Sequence, residues 1–240
     1  MERMILMTSE LTGKAGIKDA LPTALGYISI AIAFGILGRT SGLDLLSVML
    51  LSIFTYTGSA QFVIISMLAT HSNIWSIVIS TLLISSRMSL MSLTVAPYFN
   101  QTSLSRNLWL GSLLTDETFA LSMNKLNYTE HKLSFSWLNA ANLLAYLVWA
   151  AATLTGGLVG QLIKDPEQLG LSFALVAMFI GLMYLQLISD RLMGITRQLI
   201  IILVVAISFY FCLIYFSANI ALLLTVIIGS SIGVVIERWY

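Results

Sequence analysis

The sequence predicts an all-α fold: a polytopic transmembrane helical bundle of seven or eight spans, one of them broken. Three observations carry this. Of 240 residues, 58% are hydrophobic and only 10% are charged, where a soluble domain carries roughly 25% charged residues. The mean hydropathy is +0.92. Apolar runs able to cross a bilayer core, which takes about 20 residues as helix, follow one another with short polar joints between them. The same composition excludes other classes. A net charge of +1 leaves no basic footprint for nucleic acid. The single cysteine, Cys212 in "FYFCLIYF", allows neither an internal disulfide nor a cysteine metal site. His71 and His131 are the only histidines, and both stand beside predicted span ends. No metal site and no cofactor is expected.

The opening "MERMILMTSELTGKAG" has an apolar core too short for a cleaved signal peptide and reads as a cytoplasmic, partly amphipathic lead-in. Spans follow at about 18–38, 44–70, 73–96, 107–126, 134–162, 169–189, 197–216 and 219–236. Eight spans with the N-terminus inside put Arg3, Lys14, Lys18, Lys125, Lys132, Arg191, Arg197 and Arg238 in the cytoplasm. Arg39, Arg106 and Lys164 then lie opposite, and Arg87 within a span. That bias fits the positive-inside rule and places both termini in the cytoplasm. The whole chain, 1–240, reads as a single integral membrane transporter domain.

In the first span, Pro22 with Gly26 reads as a first-turn proline or as a kink; the first-turn reading is the simpler. The second span contains "FTYTGSAQFVII", whose middle is hydroxyls, glycine and an amide. Gly58 weakens a helix there, so the span divides into two half-helices or a re-entrant pair. A half-helix starting at Ser59 presents free backbone N–H groups and a positive dipole end, a site for a carboxylate. Close packing of small residues is the competing account.

Arg87, in "LLISSRMSLMSLTVAPYF", lies too deep in the third span to snorkel easily. It needs a carboxylate partner or an anion. Asp116-Glu117, in "LWLGSLLTDETFALSMNKL", falls near the middle of the fourth span. Adjacent helix residues point about 100° apart, so one acid pairs with Arg87 while the other faces a cavity. Intramembrane carboxylates are the groups that relay protons, which makes this pair the candidate for proton coupling. Solvated acids on an interfacial helix are the alternative. In the fifth span Asn139 and Asn142 share a face, and inter-helix amide bonds are their plainest use.

Two segments echo each other. "FGILGRTSGLDLLSVMLLSIF" from Phe34 and "GGLVGQLIKDPEQLGLSFALVAMFIGLM" from Gly156 each end a helix with G-x-x-G (Gly35/Gly38 and Gly157/Gly160). A short polar loop, then Gly-Leu and a new apolar helix, follow in both. Chance among abundant Gly and Leu explains this; so does a duplicated half, roughly 18–126 and 134–236, as in many secondary transporters. The G-x-x-x-G patterns Gly156/Gly160 and Gly229/Gly233 predict close crossings, either within the chain or against a partner.

Several of these stretches together resemble the AzlC family, the large subunit of branched-chain amino-acid exporters. They are "ALPTALGYISIAIAFGILG" (20–38), "TYTGSAQFVIISML" (55–68), the mid-span arginine followed by "LMSLTVAP" (87–97), "LTDETFAL" (114–121) and "LGLSFALVAMFIGLM" (169–183). The likeness runs from about residue 16 onward. The family carries an Asn two before the arginine and a His after it, where this chain has Ser85 and Met88, and an Asp where Ser172 stands. Those departures bear on cargo and proton movement. The resemblance implies efflux of the neutral branched-chain amino acids Leu, Ile and Val, with Met beside them, a small AzlD-type membrane subunit as partner, and residence in the cell's inner membrane.

The leading reading is therefore a secondary exporter driven by the proton gradient. The backbone after Gly58, flanked by Tyr56, with Ser59 and Gln61, holds the substrate carboxylate. Arg87 orients or neutralises an acid. Asp116 or Glu117 carries the proton or faces the ammonium. Phe62, Met178 and Tyr184 receive the apolar side chain. A zwitterion in oil needs both charged ends satisfied. There is no Walker A motif, so ATP does not act directly through this chain. An intramembrane enzyme has little support: Ser59 has no histidine at its depth and no G-x-S-x-G surrounds it. A passive channel or non-transporting membrane scaffold is the alternative function.

Overall fold

The computed structural model describes residues 10–162, 194–216 and 218–238, with residues 180, 183, 184 and 187 between them. The expected span at 169–189 lies almost wholly outside the described residues. So do Met178, Ser172 and the stretch that would complete the second copy of the echo. The chain divides into two compact units, Met1–Leu175 and Val176–Tyr240.

Nine helices, and no strand, are found among the described residues. In the first unit they are α1 (Gly13–Thr40), α2 (Leu45–Phe54), α3 (Ser59–Ala69), α4 (Ile74–Val95), α5 (Leu104–Ser112), α6 (Asp116–Leu126) and α7 (Phe135–Val159). Single 3-10 turns extend α4 through Ala96–Phe99 and α7 through Gly160–Leu162. The second unit contains α8 (Ile195–Tyr215) and α9 (Ala218–Arg238). Among the described residues, four stretches are long and apolar enough to cross a membrane: Gly13–Thr40, Ile74–Phe99, Phe135–Leu162 and Ile195–Tyr215.

The ends of these helices are written in the sequence. Thr12, Asp44, Asn73 and Ser134 each accept a backbone N–H of the following first turn through their side chains. After α1, Gly42 takes φ +91°. Its N–H bonds Arg39 O, and Leu43 N–H bonds Gly38 O. This is a Schellman closure, which needs a left-handed residue that glycine adopts without strain. Because α1 begins at Gly13, Pro22 lies well inside the helix rather than in its first turn. That corrects the simpler expectation.

The core of the first unit is the pairing of α1 with α7. Along α1 the buried face reads Gly16, Ala20, Ala24, Tyr27, Ala31, Gly35; along α7 it reads Trp137, Ala141, Ala145, Trp149, Ala152, Gly156. Spacings of three and four put each set on one stripe. Small residues on both let the backbones approach. A Cβ on Gly35 would strike Thr153 O and the backbone of Gly156 and Gly157, and one on Gly156 would strike the backbone of Ile32. The two echoing glycine motifs thus meet each other at one crossing. Aromatic packing continues the contact, with Tyr27 edge-on to Trp149 at 5.2 Å between ring centres. At one end Lys125 of α6 pairs with Asp19 of α1 at 2.9 Å, and Trp137 Nε1 donates to the same carboxylate at 2.9 Å. In the second unit a Cβ on Gly229 would meet Val205, so this glycine pattern packs α9 on α8 within the chain.

Gly156→Val should destabilise the protein by about 1–3 kcal/mol, because the added carbons must push two backbones apart. Gly26→Ala, which meets nothing within 4 Å, should leave the melting temperature in detergent unchanged or raise it. Equal melting shifts for the two would contradict a glycine-dependent crossing.

Candidate functional site

Two helices of the first unit are broken at mid-length, and the breaks come together. The first separates α2 from α3 at Thr55–Gly58. Gly58 adopts φ +59° and ψ −86°, a conformation that favours glycine, and gives α3 no side-chain cap. The second break separates α5 from α6 at 113–115, inside the segment expected to run unbroken over 107–126. Thr115 turns the chain back into helix. Its side chain accepts Thr118 N–H, and Thr118 Oγ1 accepts Thr115 N–H, a reciprocal cap. Asp116 and Glu117 therefore occupy the first turn of a half-helix rather than the middle of a span. The signal was present: a Thr followed by two acids and a second Thr is a helix-start pattern.

A break in a membrane helix exposes carbonyls at one side and N–H groups at the other, and both need partners. At the first break Gln61 Nε2 donates to Leu51 O at 2.9 Å and Ser52 O at 3.4 Å. Tyr146 Oη donates to Ile53 O at 3.2 Å. At the second break Asn142 Nδ2 donates to Leu110 O at 3.3 Å. Nearby, Trp109 Nε1 donates to Asn139 Oδ1 at 2.7 Å. Gln61 thus acts chiefly as a prop for the preceding half-helix. Its Oε1 stays buried without a hydrogen-bond partner.

The N–H ends converge on one guanidinium. Arg87, on α4, donates from Nη2 to Ser59 Oγ at 2.8 Å and pairs through the same nitrogen with Asp116 Oδ2 at 2.8 Å. Ser59 opens α3 and Asp116 opens α6, so two positive dipole ends lie within reach of one cation. Two carboxylates balance them. Glu117 is hydrogen-bonded to the hydroxyl of Tyr27 on α1, which also bonds Thr115 Oγ1 at 2.7 Å. Asp116 is 14% exposed and Arg87 37%, so the pair is shielded but reachable. Arg87 Nε, Tyr56 Oη and Trp149 Nε1 are buried and unpartnered.

Gly58, Ser59, Gln61, Arg87, Asp116 and Glu117 all gather at the two breaks, together with Tyr56, which packs edge-on to Tyr146 at 4.9 Å. Of the expected receivers of an apolar side chain, Met178 lies outside the described residues and Tyr184 belongs to the second unit. Phe62 is 2% exposed and packs on Phe34 in the core, with ring centres 5.6 Å apart. Tyr184 lies exposed in the second unit. Sequence reasoning missed Tyr27, Tyr146 and Trp149, which no local pattern distinguishes from core aromatics.

The model of the family described as AzlC protein matches residues 22–163, which contain both breaks together with Tyr27, Ser59, Gln61, Arg87, Asp116 and Glu117. An uncharacterized membrane protein of Helicobacter pylori (strain J99) is 33% identical over 69% of this chain and 73% of its own. The inner membrane protein YgaZ of Escherichia coli is 26% identical over 77% of each. The branched-chain amino acid transport protein AzlC of Bacillus subtilis is 25% identical over 71% of this chain and 66% of its own. No solved structure matches the chain.

Gln61→Leu, which keeps the volume but takes the side-chain donor from Ser52 O and leaves Leu51 O only the Thr55 N–H, should destabilise the protein by about 1–3 kcal/mol. Thermal unfolding in detergent measures this; a wild-type melting temperature would mean that the break stands without the amide.

Proposed function

Because this chain belongs to the AzlC family, we propose that it is a secondary exporter of the neutral branched-chain amino acids leucine, isoleucine and valine, and of methionine, driven by the proton gradient. It works with a small AzlD-type membrane subunit, in the cell's inner membrane, with its N-terminus in the cytoplasm. The name of the Bacillus subtilis relative supports the cargo, and the inner-membrane relative supports the location. The observation that carries the reading is the meeting of two half-helix N-termini at Arg87.

The chemistry follows from the cargo. An amino acid brings a carboxylate and an ammonium, and neither crosses oil unpartnered. The Arg87–Asp116 pair has the same two charges in the opposite sense. A zwitterion inserted across it gives its carboxylate to Arg87, Ser59 Oγ and the open end of α3. Its ammonium goes to Asp116, with Glu117 beside it. One ion pair is exchanged for two, with no net charge left over.

Coupling follows from the same carboxylates. A carboxylate that holds a proton no longer attracts an ammonium, so proton and substrate compete. Competition for one site gives exchange: a proton moving inward displaces an amino acid moving outward. Tyr27 can hold Glu117 in place through either state, because its hydroxyl both donates and accepts.

Radiolabelled leucine should leave cells faster when this chain and a small AzlD-type subunit are expressed together than with either alone. Full efflux from this chain alone would contradict the two-subunit reading. In vesicles, the double substitution Asp116→Asn with Glu117→Gln should abolish the response of efflux to an imposed pH gradient. Coupling that survives the substitution would remove both acids from the proton path.

A further inference from the structure

A cavity of about 310 Å³ opens beside both helix breaks, lined among others by Ile53, Tyr56, Thr57, Trp109, Leu113 and Tyr146. Its size falls at the lower end of small-molecule pockets, roughly 300–1,000 Å³, and suits a ligand of a few heavy atoms. The lining has a clear division. Tyr56 and Leu113, 8% and 6% exposed, are its buried residues, while Ile53 and Trp109 stand exposed at its rim. Apolar and aromatic groups dominate these walls, and none of the six residues bears a charge. One unsatisfied polar atom belongs to them: Tyr56 Oη is buried without a hydrogen-bond partner.

Its place in the chain is as informative as its lining. Thr57 stands two residues before Ser59, and Leu113 three before Asp116. The segments that present the polar ends of α3 and α6 to Arg87 therefore also wall this cavity. Phe62, by contrast, is sealed in the core, so the space for an apolar side chain lies elsewhere.

The geometry points to this cavity as the side-chain pocket of the transported amino acid, with Ile53, Trp109 and Leu113 determining which side chain is accepted. The inference rests on the amino-acid reading of the Arg87 site and extends it from charge recognition to selectivity. A neutral, apolar or aromatic wall rejects charged side chains by desolvation and ranks apolar ones by fit. Selectivity of this kind is modest, about 10–200-fold per methylene. The pocket draws walls from both broken helices, so its shape depends on the same two breaks that expose the polar ends.

The test reads preference rather than rate alone. Cells expressing this chain with its small subunit are loaded with labelled leucine, alanine and phenylalanine, and efflux is compared after correction for protein level. Ile53→Trp, at the exposed rim, narrows the pocket and should lower the leucine-to-alanine ratio about tenfold or more. Ser112→Phe, also exposed and lining the cavity, should act in the same direction and guards against misfolding of the first variant. Leu113→Ala enlarges the pocket and should raise the phenylalanine-to-leucine ratio. Wild-type ratios in all three variants, with efflux retained, would overturn the pocket while leaving the Arg87 reading intact. Failure of the wild-type protein to move any neutral amino acid would overturn both.

Discussion

A bilayer core contains no water to satisfy a loose backbone group, and the architecture of the first unit follows from that constraint. Each broken helix exposes carbonyls on one side and N–H groups on the other. The carbonyl ends are met by neutral donors that reach across from elsewhere: Gln61, Tyr146 and Asn142. At the N–H ends, Ser59 Oγ and the Asp116 carboxylate are tied to one arginine. Under the proposed reading, structural satisfaction and ligand recognition are divided between opposite sides of the same breaks.

Charge placement obeys the same economy. An isolated guanidinium at this depth is expensive, and so is an isolated carboxylate. Together, with Ser59 Oγ as a second acceptor and the first turn of α6 around Asp116, they form a site that is balanced when empty. Under the proposed reading, balance persists when a zwitterion enters, because the substrate adds one charge of each sign.

Much of the fold was legible in the chain, for reasons that differ by element. Most spans follow from hydropathy because water exclusion acts on the average of some twenty residues. The first break was visible at Gly58, since glycine and hydroxyls together leave a local gap in that average. The second was hidden by the same averaging: Leu113 and Leu114 keep the run apolar, while the cap formed by Thr115 and Thr118 decides the geometry. Gln61 was read as a ligand group because an amide in a membrane helix offers itself to anything. Only coordinates reveal that its nitrogen is committed to Leu51 and Ser52. The echoing glycines were noticed as repetition; their physical use is that they face each other across α1 and α7.

The contrast between α4 and its neighbours has a mechanical consequence. In the most apolar window of α1, 44% of residues are buried, and in that of α7, 39%; in α4 the share is 11%. The α1–α7 pair, interlocked backbone to backbone through Gly35 and Gly156, cannot slide without clash. Helix α4 buries little of itself, and Arg87 ties it to α3 through Ser59 and to α6 through Asp116. Whatever competes for the guanidinium then acts on the helix as well as on the charge. Under the proposed reading, a substrate carboxylate that replaces Asp116 would leave Arg87 tied to α3 and release it from α6, so the exchange that satisfies a zwitterion would also change which half-helix α4 is fastened to.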